Sequence, residues 1–193
     1  MKSAVFLYNT QSGKCKIERC TEAVCTVFRA YGYDIKPQLI DFCANPFDGN
    51  EQIDLMVVAG GDGTVNEIAN GIAGYANAAM TCIPIGTGND FLKNFGKDAE
   101  PLFLDAENLW NGDVTPLDLI DCNGKYCLTI ACTGIDARIA ESVHEFGASP
   151  MLSGRGSYLA SVAVNFLFHK IGRRWRVTLD DEVIEDTFAL VSM

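Results

Sequence analysis

The residues of this chain best suited to chemistry are glycines and carboxylates set at turns. Gly60-Gly61-Asp62-Gly63-Thr64 follows the apolar run Leu55 to Ala59. It precedes Thr64 to Ile72, where Val65, Ile68, Ala69 and Ile72 recur at the spacing of one helical face. Glycine lets a backbone turn sharply and approach a ligand without a Cβ clash. A helix start turns unpaired N–H groups outward, a ready anion site. Taken singly, such a loop is as readily a tight strand-to-helix turn with Asp62 or Thr64 as N-cap.

Two further turns change that balance. Asn9-Thr10-Gln11-Ser12-Gly13 follows the first apolar run, and Gly86-Thr87-Gly88-Asn89-Asp90 follows the fourth. All three would open on the same edge of one sheet, where ligands bind open α/β folds. Neither G-x-G-x-x-G nor G-x4-G-K-[ST] occurs at these turns, so the Rossmann and P-loop readings fail on spacing. Anion-binding turns rarely need carboxylates unless a cation lies between, and Asp62 and Asp90 would share Mg²⁺ with water and nucleotide phosphates. Asp90 as the N-cap of its helix and Asn89 as a left-handed turn residue fit the spacing equally well.

The elements that must position these turns alternate. Ser3 to Tyr8 reads as a buried strand, then a helix runs from about Cys15 to Tyr31, closed by Gly32. Strands follow at Tyr33 to Ile40, Leu55 to Ala59 and Ala79 to Ile85, with helices at Thr64 to Ile72, from Asp90, and around Pro101 to Trp110. A loop or short helix through Asn45-Pro46 and Asp48-Gly49 joins the second and third strands. This alternation predicts a parallel α/β sheet with helices on both faces, over residues 1–113.

From Val114 the pattern becomes antiparallel. Val114 to Cys122 and Lys125 to Cys132 flank Asn123-Gly124, whose residue types suit the positive φ angles of a type I′ turn. Helices are expected at Ile135 to Phe146 and Arg155 to His169, and a second hairpin, Trp175 to Leu179 with Val183 to Val191, turns at Asp180-Asp181. Residues 114–193 thus read as a β-rich second domain, expected to be incomplete because Ala-Leu-Val-Ser-Met193 looks like the middle of a strand.

The 193 residues carry a net charge of −10 and are 48% hydrophobic. That composition supplies a core, and the charge argues against a sequence-independent nucleic-acid binder and against general adhesion to anionic membranes. No segment reaches the ~18 apolar residues of a membrane span, and polar Asn9 comes too early for a secretory signal, so a cytoplasmic protein is expected. The eight cysteines include two C-x4-C-x4-C series, at Cys15, Cys20, Cys25 and at Cys122, Cys127, Cys132. Neither has zinc or thioredoxin spacing, and all read as reduced thiols. His144 and His169 lack a Cys or Ser partner at useful spacing. Arg173-Arg174-Trp175-Arg176 reads as a strand start with exposed arginines in preference to a membrane contact.

Gly60 to Ile72 together with Pro84-Ile-Gly-Thr-Gly-Asn-Asp-Phe91 closely resembles the bacterial diacylglycerol kinase and lipid kinase family, within the superfamily of NAD kinases and phosphofructokinases. Gly86 to Phe91 matches the family's G-T-x-N-D-F segment, which separates lipid kinases from NAD kinases. Asn9 to Lys14 resembles the N-P-x-S-G-x turn, with Thr10 where proline is usual. Leu128 to Ala137 is similar, with several substitutions, to a later segment.

The resemblance implies ATP on Gly60, Gly61, Asp62, Gly63, Thr64, Val65, Asn66 and Glu67, near Asn9 and Thr10, and on Gly86, Thr87, Gly88 and Asn89. It implies Mg²⁺ organised by Asp62 and Asp90, and a lipid hydroxyl such as that of diacylglycerol as acceptor. Peripheral contact at the inner membrane face and a homodimer are both open to such a protein. The family's general base lies in an L-D-G-E-like segment expected beyond Met193, and nothing within the chain matches it. NAD kinase and a non-catalytic nucleotide-binding module are the alternative readings.

Overall fold

The computed structural model describes residues 2–9, 17, 20–41, 52–73, 78–147 and 155–193. They fall into two compact units, Met1–Thr129 and Ile130–Met193.

In the first unit four strands form one parallel sheet in the order β2-β1-β3-β4. They are β1 (Lys2–Tyr8), β2 (Tyr33–Leu39), β3 (Leu55–Gly60) and β4 (Ala79–Pro84). Alternation along the central strands divides the core between the two faces of the sheet. Ala4 and Phe6 of β1 and Val57 and Ala59 of β3 lie in one cluster with Val24, Cys25 and Phe28 of α1 (Thr21–Ala30). Val5 and Leu7, with Met56 and Val58, lie in the other with Val65 and Ile68 of α2 (Asp62–Ile72). The sheet is therefore covered on both faces, as its near-continuous apolar strands require. All three pairings, with β1 and β3 at the centre, are parallel, as expected of the alternating pattern.

The order reverses at β1, because β2 lies on one side of it and β3 on the other. The carboxyl ends of β1 and β3 are thus the topological switch point of the sheet. Tyr8 pairs in register with Ala59, and Gly60 with Pro84, so the segments that follow these strands leave the sheet at nearly one level. The turn from Thr10 to Gly13, the start of the first expected helix at Cys15, and the expected loop or short helix through Asn45-Pro46 and Asp48-Gly49 lie outside the described residues.

Several boundaries differ from expectation for local reasons. The segment from Asp90 is a 3₁₀ helix, Asp90–Phe95, whose N-cap position falls to Asn89 and not to Asp90. The helix expected around Pro101 to Trp110 is two, α3 (Ala99–Leu104) and α4 (Ala106–Leu109). Asp105 separates them in an extended conformation, and its carboxylate accepts the Glu107 N–H at 3.1 Å to cap α4. The hairpin β5 (Ile120–Cys122) and β6 (Lys125–Cys127) is much shorter than the expected strands, and residues 112–119 form no regular element. Pro116 lies in that stretch and has no N–H to offer a ladder. The turn itself is as expected, with φ of 57° at Asn123 and 83° at Gly124. This hairpin falls in the first compact unit.

The second unit holds β7 (Cys132–Gly134), α5 (Ile135–Gly147), α6 (Arg155–Phe168), the hairpin β8 (Arg173–Leu179) and β9 (Glu182–Phe188), and β10 (Leu190–Ser192). The last expected strand is split at Ala189, because β10 leaves its hairpin to pair antiparallel with β7. Ala131 and Met193 extend that ladder by exchanging both backbone hydrogen bonds. Polar groups join α5 to α6: Asn165 donates to Ser142 Oγ at 2.9 Å, and Ser161 donates to the Ile139 carbonyl at 2.8 Å. Among the described residues no helix is long and apolar enough to cross a membrane.

Candidate functional site

The loop after β3 and the loop after β4 press backbone against backbone. A Cβ on Gly86 would stand 2.5 Å from Gly61 Cα, and one on Gly61 would stand 3.1 Å from Gly86 Cα. No larger residue fits at Gly86 without parting the loops. The Ile85 N–H donates to the Gly60 carbonyl at 3.1 Å, and the Asn9 N–H donates to the Ala59 carbonyl at 3.4 Å. Asn9, which opens the first predicted turn, and Ile85, which precedes the third, are thus tied at or next to Gly60. Thr10 lies outside the described residues.

Asp62 bridges the two glycine loops. Its Oδ1 accepts the Phe91 N–H at 3.3 Å, holding the start of the 3₁₀ helix. A Cβ on Gly88 would stand 2.8 Å from its Oδ2, so glycine there leaves that oxygen uncovered. Asn89 adopts the left-handed conformation, φ 55° and ψ 41°, and its side chain closes the second loop on itself. Its Oδ1 accepts the Gly86 N–H at 3.1 Å, while its Nδ2 donates to the Gly86 carbonyl at 3.2 Å and to Glu100 Oε1 at 3.3 Å.

Asp90 pairs with Lys93 at 2.6 Å, with both side chains exposed. The bond to Asp90 and its nearby charge raise the Lys93 pKa, and Asp62 adds to the effect. Solvent screens such an exposed pair, so it holds Asp90 only weakly. The donor set suits Mg²⁺, which is commonly held by one or two carboxylates together with water and substrate phosphates. Among the described residues no cluster of three or more His, Cys, Asp or Glu forms an all-protein cage.

The first turn of α2 begins at Asp62, with Gly61 at the N-cap position in an extended conformation. Neither Asp62 nor Thr64 is the N-cap. Val65 donates the first helical hydrogen bond to Gly61 at 3.0 Å. Thr64 and Val65 are buried, whereas Gly63, Glu67, Thr87 and Gly88 are exposed. Asn66 stands apart from the other predicted nucleotide contacts. Its Oδ1 accepts the Leu128 N–H at 3.0 Å, and its Nδ2 donates to the Tyr126 carbonyl at 3.4 Å.

Sequence reasoning missed two residues, Asn70 and Glu100. Asn70 follows Asn66 by four residues on one helix face, a spacing that could have flagged the pair. Glu100 carries no comparable signal, because its contact with Asn89 depends on how α3 packs. A separate cavity of about 150 Å³ in the second unit is lined by Arg138, Glu141, Arg173 and Trp175 among others, and contains none of the predicted site residues.

Comparison with known proteins assigns the chain to a family by its sequence. The model of the diacylglycerol kinase catalytic domain covers residues 3–122. The diacylglycerol kinase of Bacillus subtilis is 32% identical over 140 residues, which span 69% of this chain and 46% of that protein. A Staphylococcus epidermidis protein provisionally named a lipid kinase is 27% identical over 189 residues, spanning 96% of this chain and 60% of its own length. The crystal structure of a diacylglycerol kinase from Bacillus anthracis shares the fold, with a TM-score of 0.67 at 23% identity, over 99% of this chain and 63% of that one. The chain spans about half the length of the curated relatives it matches.

Proposed function

The chain belongs to the diacylglycerol kinase catalytic-domain family, and from that membership we propose that it binds Mg²⁺-ATP for phosphoryl transfer to the hydroxyl of diacylglycerol or a related lipid. One observation carries the reading: Gly61 and Gly86 are in contact at the end of the sheet, with Asp62 spanning both loops. Paired glycine loops supply backbone N–H groups to phosphate oxygens, and the start of α2 adds its own unpaired donors.

Phosphoryl transfer of this kind depends mostly on positioning and charge neutralisation. The exposed backbone at Gly63, Thr87 and Gly88 would take phosphate oxygens, while Asn89 keeps the second loop in shape. Asp62 through Oδ2, and Asp90 once it turns from Lys93, would hold Mg²⁺, which when bound offsets the phosphate charge. As the acceptor oxygen bonds to phosphorus, the bond to the ADP oxygen breaks and the hydroxyl proton passes to solvent water. No residue of this chain is assigned as its acceptor.

The test incubates the protein with ATP labelled at the γ-phosphate and with vesicles containing diacylglycerol, or with NAD. Label in the lipid supports the proposal. Label in NADP alone overturns the lipid assignment, and tight Mg²⁺-ATP binding with no transfer to either identifies a nucleotide-binding module.

A further inference from the structure

The family resemblance sets Asn66 among the nucleotide contacts, yet its side chain and that of Asn70 are engaged elsewhere. Asn70 Oδ1 accepts the Tyr126 N–H at 2.7 Å, and Asn70 Nδ2 donates to the Tyr126 carbonyl at 2.7 Å. One side-chain amide thus pairs with both backbone groups of one residue, as a neighbouring strand would. Two residues further along, the Leu128 N–H donates to Asn66 Oδ1.

The periods of helix and strand explain why two asparagines suffice. Four helical residues rise about 6.0 Å and two strand residues about 6.7 Å, so side chains at i and i+4 meet backbone groups facing one way at j and j+2. β6 pairs with β5 on its other side, and the asparagines cover the edge that would otherwise be open. Asn70 Nδ2 also donates to the Asn66 carbonyl at 2.9 Å, tying the clip into the helix backbone.

We propose that Asn66 and Asn70 are positioning residues, a backbone clip that docks the β5–β6 hairpin on α2 and steadies the helix whose first turn receives phosphate. Asn66 then acts on nucleotide through the hairpin and not by touching it. The docking half stands on the hydrogen bonds alone, and the nucleotide half rests on the ATP reading.

Hydrogen exchange and Mg²⁺-ATP titration of the same variants test both halves. Asn70→Leu, which keeps bulk and removes the amide, is expected to speed exchange of the Tyr126 amide by about tenfold or more, as loss of a well-formed hydrogen bond exposes it. Asn66→Leu is expected to do the same at Leu128, while Val57 and Val58 in β3 keep wild-type rates. Asn70→Asp keeps the acceptor for Tyr126 N–H and is expected to retain more protection there than Asn70→Leu. Mg²⁺-ATP affinity is expected to fall about two- to fivefold in both leucine variants alike, the scale of one weakened positioning contact.

Unchanged Tyr126 exchange in Asn70→Leu overturns the clip. Lower affinity in Asn66→Leu with affinity intact in Asn70→Leu makes Asn66 a direct nucleotide ligand and overturns the positioning role. If the wild-type protein binds no Mg²⁺-ATP, the ATP reading and the nucleotide half fail together, and the exchange rates still decide the docking half.

Discussion

At Gly86 one methyl group has to go where Gly61 Cα already is, only 2.5 Å away. Gly86→Ala is therefore expected to lower stability by about 1–3 kcal/mol, the usual cost of overpacking, and to weaken nucleotide binding by parting the loops. Gly63 has open space at its Cβ position, so Gly63→Ala should leave the melting temperature nearly unchanged. Thermal unfolding of the two variants separates a requirement for glycine packing from a requirement for glycine as such. The thiols offer a second check. Cys20 and Cys122 are exposed, whereas Cys25 and Cys82 are buried, so iodoacetamide should label the first two in the native protein and the second two only after unfolding.

Cys82 also sets a pH dependence. Burial first, and the Asp62 charge second, push its thiol from 9.0 up to about 12. The folded state then holds this proton more tightly than the unfolded chain does. Its contribution is intact below about pH 9 and is lost as pH rises from there through about 12. Denaturation midpoints should fall less steeply over that range in Cys82→Ala than in the wild type.

Among the elements, α2 carries the most weight, because its buried face closes one layer of the core and its first turn opens on the loops. Ile68 is fully buried in that layer, and Ile68→Ala is expected to cost about 2–5 kcal/mol in chemical denaturation. This helix was legible in the sequence through the spacing of Val65, Ile68 and Ala69, as were β1, β3 and β4 through their apolar runs. The two glycine turns were legible by residue type, and Asn123-Gly124 announced its hairpin. What escaped was decided by tertiary partners. Periodicity does not reveal that Asp105 caps a new helix, that β10 leaves β9 for β7, or that the amides of Asn66 and Asn70 complete a strand edge. The contact between Gly61 and Gly86 was equally hidden, since it joins loops from different crossovers.

At the scale of the molecule, the first unit gathers the candidate phosphate loops at the β1/β3 switch point, and the family match covers most of that unit. Asp62 is the residue on which the proposed use of that place turns, because it both latches the loops and supplies charge. Asp62→Asn separates the two roles: an amide oxygen can still accept the Phe91 N–H, but the negative charge is gone. The most direct measurement is calorimetric titration of ATP, with and without Mg²⁺, into the wild type and Asp62→Asn. The account predicts saturable, Mg²⁺-dependent binding by the wild type, and at least about tenfold weaker binding with little Mg²⁺ dependence in the variant. Equal Mg²⁺-ATP affinity in the two proteins, or none in the wild type, would contradict it.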